Sequence, residues 1–389
     1  MYSRRKLLKQ LAGTALALPV LGDVSSAAAF EPGVAERAGP GSSSNDWIIS
    51  EAMVFAHPSA DPYDPNNHFG FNHAPSVVLL PDNRLLTVWF SAPFEASVNQ
   101  LILGSFSSDS GKTWTPPRVM QDFPHKSDFD PAFIRDGHRV FFFFSAGRWN
   151  RYPPVRDQED EIGPKSFSTY MRFSDDSGKT WSDPVSVCPQ HGSRTNGIKL
   201  STGELLLPME DFVGRDASVL KSADGGKTWK LVGKVTSPAG ADEPTIAELS
   251  SGAILMLLRT VDGNLWASRS GDRGETWPPA EKTGLTATPT SANLIRLRDG
   301  RLVLTHDENP HYRTPLTVRT SSDDGATWGK PLVLAETFIP SKKDPIWSAQ
   351  VTYPSATELP DGSLVIVWAN IIIADSEQYG DIRAARVRV

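Results

Sequence analysis

The sequence predicts an all-β fold, a six-bladed β-propeller with Asp-box repeats, and three observations predict it. An eight-residue pattern, Ser-x-Asp-x-Gly-x-Thr-Trp, occurs at 107–114, 174–181, 222–229, 270–277 and 321–328. Its aspartates, Asp109, Asp176, Asp224, Asp272 and Asp323, lie 67, 48, 48 and 51 residues apart, a period of blade size. Interleaved with them are six polar turns between apolar runs, at Asp82-Asn83, Asp136-Gly137, Thr202-Gly203, Ser251-Gly252, Asp299-Gly300 and Asp361-Gly362. Dipeptides of this kind between runs of strand length are hairpin signals. Six hairpins and five boxes therefore give six blades, the last without a box.

Each box reads as a tight turn. Its Asp accepts hydrogen bonds from backbone N–H groups of the same turn, its Gly supplies a positive φ, and its Trp packs beneath. Single carboxylates spread over separate repeats do not make the oxygen cage of a calcium ion, so the boxes report the fold rather than the chemistry.

Before the first blade, Arg4-Arg5, the apolar run Leu11 to Leu21 and the small residues Ala27, Ala28 and Ala29 follow the charged, apolar and cleavage order of an export signal. The paired arginines point to the twin-arginine route. The apolar run is too short for a lasting membrane span. Residues 1–29 are thus expected to be a signal peptide, 30–46 a disordered spacer rich in Gly, Ser, Ala and Pro, and 47–389 the propeller.

The chain carries a net charge of −6, and its signal segment is positive, so the exported part is more acidic still. No basic run survives cleavage, which argues against nucleic-acid or anionic-membrane partners. The single Cys188 excludes an internal disulfide and a cysteine-based metal cluster. No nucleotide or zinc spacing occurs, so no cofactor and no metal are expected, and the protein is read as a monomer. Of eleven tryptophans, five end the boxes. Trp89 and Trp368 sit in second strands and read as core, whereas Trp149 and Trp347 are candidates for a pocket wall.

Propeller geometry locates that pocket. Each innermost strand runs toward its hairpin turn and the second strand returns, so residues six to nine before the turn meet those eight to thirteen after it on one face. The first group contains His73, Asp130, Asn196, Glu243, Asn293 and Tyr353; the second contains Glu95, Arg148, Glu210, Arg259, Glu308 and Asn370. Polar and ionisable side chains converging on one axis mark a binding site. Asp130, Asn196, Asn293 and Glu308 enter as substrate-binding candidates on this ground. A charged insertion, Arg148 to Ile162, is a candidate lid, and the segment Asn66 to Asn72 a candidate rim.

The boxes, the Gly-turn hairpins and several of these segments resemble the sialidase (neuraminidase) superfamily, in particular its divergent bacterial members with BNR repeats. The resemblance covers residues 47 to 389. It implies cleavage of a terminal acidic sugar from a glycan with retention, by a tyrosine nucleophile activated by a glutamate, with arginines on the sugar carboxylate and an aspartate as acid and base. Tyr353, in Tyr353-Pro-Ser-Ala-Thr-Glu-Leu-Pro-Asp-Gly362, is similar to the nucleophile segment, and Glu243, in Asp242-Glu243-Pro244, to that of its partner. Arg259 and Arg313 match two arginines of the carboxylate clamp. The first arginine is missing: its segment reads His73-Ala74-Pro75, so His73 is read as its replacement, although imidazole lacks the charged fork of a guanidinium. Glu95 is the nearest match to the acid/base, with Asp130 behind it.

His73 keeps a second chemistry open, since a histidine is a general base near neutral pH. A propeller lyase or related glycosidase acting on uronate-containing polysaccharide would use the same inventory. A carbohydrate-binding propeller without catalysis is the third reading. A Tyr353 within hydrogen-bond reach of Glu243 favours the sialidase-type reaction; His73 and a tyrosine facing one sugar position far from Glu243 favour elimination.

Overall fold

The computed structural model describes residues 46–57, 69–149, 163–337, 349–374 and 377–389. Six sheets built from antiparallel strands make up the domain that begins at Trp47. In the first blade Phe71–Leu79 pairs with Leu85–Ala92, then Leu101–Ser107, then Arg118–Gln121. The remaining innermost strands are Ser127–Asp136, the two short pieces His191–Gly192 and Ile198–Lys199, Asp242–Glu248, Asn293–Arg296 and Gln350–Glu358. Each hairpin falls where the polar dipeptide placed it.

Strand composition follows position in the blade. Leu85–Ala92, the second strand of blade one, is buried at every residue because neighbouring blades cover both of its faces. Outer strands such as Glu281–Thr286 are largely exposed and carry charges that discourage edge pairing. Trp89 and Trp368 are buried as expected. Cys188 is buried too, and burial pushes its thiol up to about 12.

Ring closure explains the missing sixth box. Boxes occupy the turn between third and fourth strands, as 107–114 does between Leu101–Ser107 and Arg118–Gln121. In the last blade the fourth strand is Ile48–Phe55, which comes from the start of the domain and pairs antiparallel with Glu377–Val387. No turn joins those two strands, so there is nowhere for a box.

In all five boxes the Thr N–H and hydroxyl both donate to the Asp carboxylate. In the third, Asp224 Oδ1 accepts from the N–H groups of Lys227 and Thr228 at 3.0 and 2.9 Å, and Oδ2 accepts from the Thr228 hydroxyl at 2.6 Å. These bonds favour the ionised form, and its carboxyl falls to about 2.

A belt of hydrogen bonds encircles the axis. Ser76 Oγ donates to Pro131 O at 2.6 Å, Phe133 N to Asn196 Oδ1 at 2.8 Å, and Thr195 Oγ1 to Pro244 O at 2.7 Å. Leu294 N donates to Thr245 Oγ1 at 3.0 Å, Ala356 N to Asn293 Oδ1 at 3.0 Å, and Val77 N to Ser355 Oγ at 3.1 Å. The belt joins every pair of adjacent blades, so the inner strands are held at a common height.

Candidate functional site

Four of the innermost strands share one irregularity. Ladder pairing breaks between His73 and Ser76, Phe129 and Ala132, Asp242 and Thr245, and Thr352 and Ser355. At each break a residue with positive φ precedes a proline: Ala74 (54°), Asp130 (50°), Glu243 (40°) and Tyr353 (56°). Proline cannot donate to the ladder, so pairing lapses, and the bulge re-aims the side chain beside it. Left-handed backbone at a residue other than glycine costs roughly 1–3 kcal/mol, and such positions cluster at functional sites.

Those bulges open on a cavity of about 290 Å³ at one end of the axis, lined by His73, Glu95, Asp130, Glu210, Glu243 and Tyr353 together with Arg259 and Arg313. One wall is aromatic: Phe129 lies 5.4 Å from Trp149 and 6.0 Å from Phe212, ring centre to ring centre. Trp149 therefore joins the cavity as expected. Trp347, most of the insertion from Arg148 to Ile162, and His68 with its preceding neighbours lie outside the described residues.

At the centre stands a triangle. The Tyr353 hydroxyl donates to Glu243 Oε1 at 3.0 Å. Arg259 Nη1 reaches both partners, donating to the phenol oxygen at 3.0 Å and pairing with Glu243 Oε1 at 2.7 Å. Burial pushes the Tyr353 phenol above its ordinary range, and the Glu243 carboxylate adds to this, while Arg259 and Arg313 pull it back. The phenol therefore keeps its proton near neutral pH and directs it at the Glu243 carboxyl group.

Arg313 is held by Gln350, whose Oε1 accepts from Nη1 at 3.0 Å, and by Pro289 O at 3.2 Å. Its guanidinium lies 5.3 Å from the centre of the Tyr353 ring. His73 packs against the same ring at 4.3 Å and against Phe90 at 5.5 Å. Burial, and then the charges of Arg313, Arg194 and Arg259, hold its imidazole well below its ordinary value. His73 is consequently neutral near pH 7 and does not replace the charge of the missing arginine.

The cavity carboxyls are unequal. Burial lifts Asp130 to about 7; Arg194 opposes the shift, while Glu243 and Glu95 reinforce it. Glu210 is raised by burial and by the Glu243 and Asp130 carboxylates, and it accepts from Glu243 N at 3.1 Å. Among the described residues no group of three or more His, Cys, Asp or Glu side chains could hold a metal ion.

Three expected substrate contacts lie elsewhere. Asn196 and Asn293 belong to the belt, each with its Oδ1 engaged by a neighbouring strand, and both face a different stretch of the channel. Glu308 pairs with Arg319, which donates from Nε at 3.0 Å, and takes no part in the cavity. Counting residues from a turn places a strand end on the correct face but does not say which neighbour turns to the axis. The same count spans Arg194, two residues before Asn196, which lies beside Tyr353. The signal was a charged residue in Gly192-Ser-Arg194-Thr-Asn196-Gly197, where the inner strand of blade three is interrupted.

Comparison with known proteins agrees with this architecture. Residues 83–366 match the BNR repeat-like domain family. The sialidase of Micromonospora viridifaciens is 26% identical over 330 residues, covering 76% of this chain and 49% of that protein. The sialidase of Bacteroides fragilis is 29% identical over 259 residues, covering 58% and 47%. The chain spans about half the length of the curated relatives it matches. Among solved structures, a Hadza microbial sialidase superposes with a TM-score of 0.68 at 19% identity, covering 87% of this chain and 68% of that one. A leech intramolecular trans-sialidase does so with 0.68 at 17%, covering 87% and 70%. The family match takes in all five boxes and all six hairpins' turns but the first residue of one, and with it the protein belongs to the BNR repeat-like family of the sialidase superfamily.

Proposed function

We propose that this protein is an exported glycoside hydrolase of the exo-α-sialidase type that removes a terminal acidic sugar from glycans. The observation that carries the reading is the Tyr353 hydroxyl 3.0 Å from Glu243 and 3.0 Å from Arg259. A neutral phenol can approach an anomeric carbon beside an anionic group without the repulsion a carboxylate nucleophile would meet.

In the first step Tyr353 Oη attacks the anomeric carbon while Glu243 takes the phenol proton. The glycosidic C–O bond breaks, and the leaving oxygen takes a proton from the side of the cavity bearing Glu95 and Asp130. In the second step water attacks the anomeric carbon and the bond to Tyr353 Oη breaks; the water's proton goes to that side of the cavity, and Glu243 returns the phenol proton. Arg259 steadies the oxygen as it gains and loses charge. Arg259 and Arg313 hold the sugar carboxylate, and the aromatic wall of Phe129, Trp149 and Phe212 receives an apolar face of the substrate.

The 3.0 Å contact between Tyr353 and Glu243 supports hydrolysis over elimination, which would leave Glu243 remote from the tyrosine. The carboxyls of the cavity support catalysis over simple binding. Mass spectrometry of products from sialosides and uronate oligosaccharides tests the reading. Free sialic acid released by the protein and lost in Tyr353→Phe sustains it. Products lighter by one water and dependent on His73 would move the protein to the lyases, and no product from any member of the panel would leave a binding propeller. The export signal of residues 1–29 lies outside the described residues, and Arg4→Lys with Arg5→Lys should abolish export by the twin-arginine route.

A further inference from the structure

Beneath the cavity lies a charge that the reaction above does not use. Arg194 is 1% exposed and does not line the cavity. Its Nη2 donates to Pro75 O at 3.1 Å and to Tyr353 O at 3.3 Å, and its Nε has no hydrogen-bond partner. Its guanidinium lies 5.2 Å from the centre of the Tyr353 ring. Among the described residues it forms no ion pair.

Burying a cation with only carbonyl partners is costly, and a fold that needed packing alone would fill the space with an apolar side chain. The two carbonyls it grips are informative. Pro75 follows the left-handed Ala74 of blade one, and Tyr353 is itself the left-handed residue of blade six. A single guanidinium therefore ties together two bulges of adjacent blades, where the belt stitches only the strands beyond them. When ionised, the carboxyls of Asp130, Glu243 and Glu210 supply longer-range attraction. Arg194 thus also offsets a cavity in which four carboxyls face two arginines.

We propose that Arg194 is a positioning residue for the reaction: it locks the backbone of Tyr353 in its left-handed bulge and places a positive charge beside the phenol without touching substrate. The inference rests on the reading of Tyr353 as nucleophile. A displacement of about 1 Å in a reacting group costs on the order of 10²-fold in rate. Full-length Arg194→Met should lose roughly 10²- to 10³-fold in kcat with KM nearly unchanged, and the limbs of its kcat pH profile should shift. Arg194→Lys should recover a tenfold part of that loss. A crystal structure of Arg194→Met should show the Tyr353 hydroxyl beyond hydrogen-bond reach of Glu243.

An unchanged kcat and pH profile would overturn the proposal. A loss confined to KM would do so as well, by making Arg194 a substrate contact. So would equal loss in the Met and Lys variants with both unfolding early, which would make the role one of stability alone. Should Arg194→Met fail to fold, Arg194→Gln carries the same measurements. If the unaltered protein releases no acidic sugar, the hydrolase reading fails on its own. The structure of the variant still decides the positioning: a displaced Tyr353 sustains it and an undisplaced one ends it.

Discussion

Two repeated devices build this propeller, and they differ in what repeats. In the box turns the side chains recur: Ser, Asp, Gly, Thr and Trp stand at the same places five times, and each time the Thr N–H donates to the Asp Oδ1. At the axis the backbone recurs instead. Ala74, Asp130, Glu243 and Tyr353 share a positive φ, a following proline and a broken ladder, yet no two share a side chain. Where a turn must close by its own side-chain bonds, the residues have no freedom. Where proline and the belt already fix the backbone, the side chain is free to differ, and it is there that the proposed base, the proposed nucleophile and a buried carboxyl stand.

Breaking the comparison on the axial side should have the largest effect. Tyr353→Phe removes one hydroxyl and keeps the ring against His73, so the fold should survive while kcat falls by roughly 10³-fold or more. Measured with a sialoside whose leaving group is reported optically, residual turnover within tenfold of the unaltered protein would show that another group attacks.

Next comes the proton. If the carboxyl held at about 7 donates to the leaving oxygen, it must be protonated to act, so kcat/KM should fall as pH rises through about 7. Asp130→Asn should remove that limb and reduce the rate about 10- to 100-fold. Should Glu95→Gln instead remove the limb and Asp130→Asn leave it in place, the acid is Glu95.

The two sets of aspartates should also answer pH in opposite senses. Asp130 and Asp307 are lifted from 3.8 to about 7 by burial. The folded protein therefore keeps protons that the unfolded chain has released, and the stability from these groups is full below about 4 and lost as pH rises through about 7. Box aspartates such as Asp224 are lowered from 3.8 to about 2, so their contribution is present above about 4 and lost as pH falls toward 2. Melting temperature should decline from pH 5 to pH 8, and Asp307→Asn should flatten the decline while keeping its bond from Thr352. An unchanged slope in that variant would remove Asp307 as the cause.

The fold was legible because the boxes and hairpin turns are local signals whose physics is contained in a few residues. The site was legible where a segment carries a residue beside proline, as with Glu243-Pro244 and Tyr353-Pro354; the count from the turn named His73, Glu95, Asp130, Glu210 and Arg259, and the family resemblance named Arg313, all of which line one cavity. Asn196 and Asn293 were misread for a physical reason. Blades three and five lack the proline bulge, so their polar residues pair with neighbouring strands rather than turning to the cavity. Glu308 went to Arg319 on its own blade, a partner one strand away that a count along the chain does not display. Arg194 stayed hidden because its value comes from two carbonyls contributed by residues far away in sequence.

A change in the belt should therefore cost stability and spare chemistry. Asn293→Ala leaves the N–H of Ala356 buried without its acceptor, at about 1–3 kcal/mol, with KM unaltered. A raised KM at unchanged stability would restore Asn293 as a substrate contact.

The smallest effect should come from a single box. Ser222 Oγ donates to Asp224 Oδ1 at 2.8 Å and accepts from Gly226 N at 2.9 Å, so Ser222→Ala orphans one buried N–H and loosens one of five turns. The loss should be about 1 kcal/mol, since the Asp224 bonds to Lys227 and Thr228 still close the turn. Unfolding should shift down by a few degrees at most, with kcat and KM both unmoved, because the turn lies between the third and fourth strands of its blade and no residue of it lines the cavity. A change in kcat comparable to that of the axial variants would mean that the box turns communicate with the bulges, and that the division between the two devices does not hold.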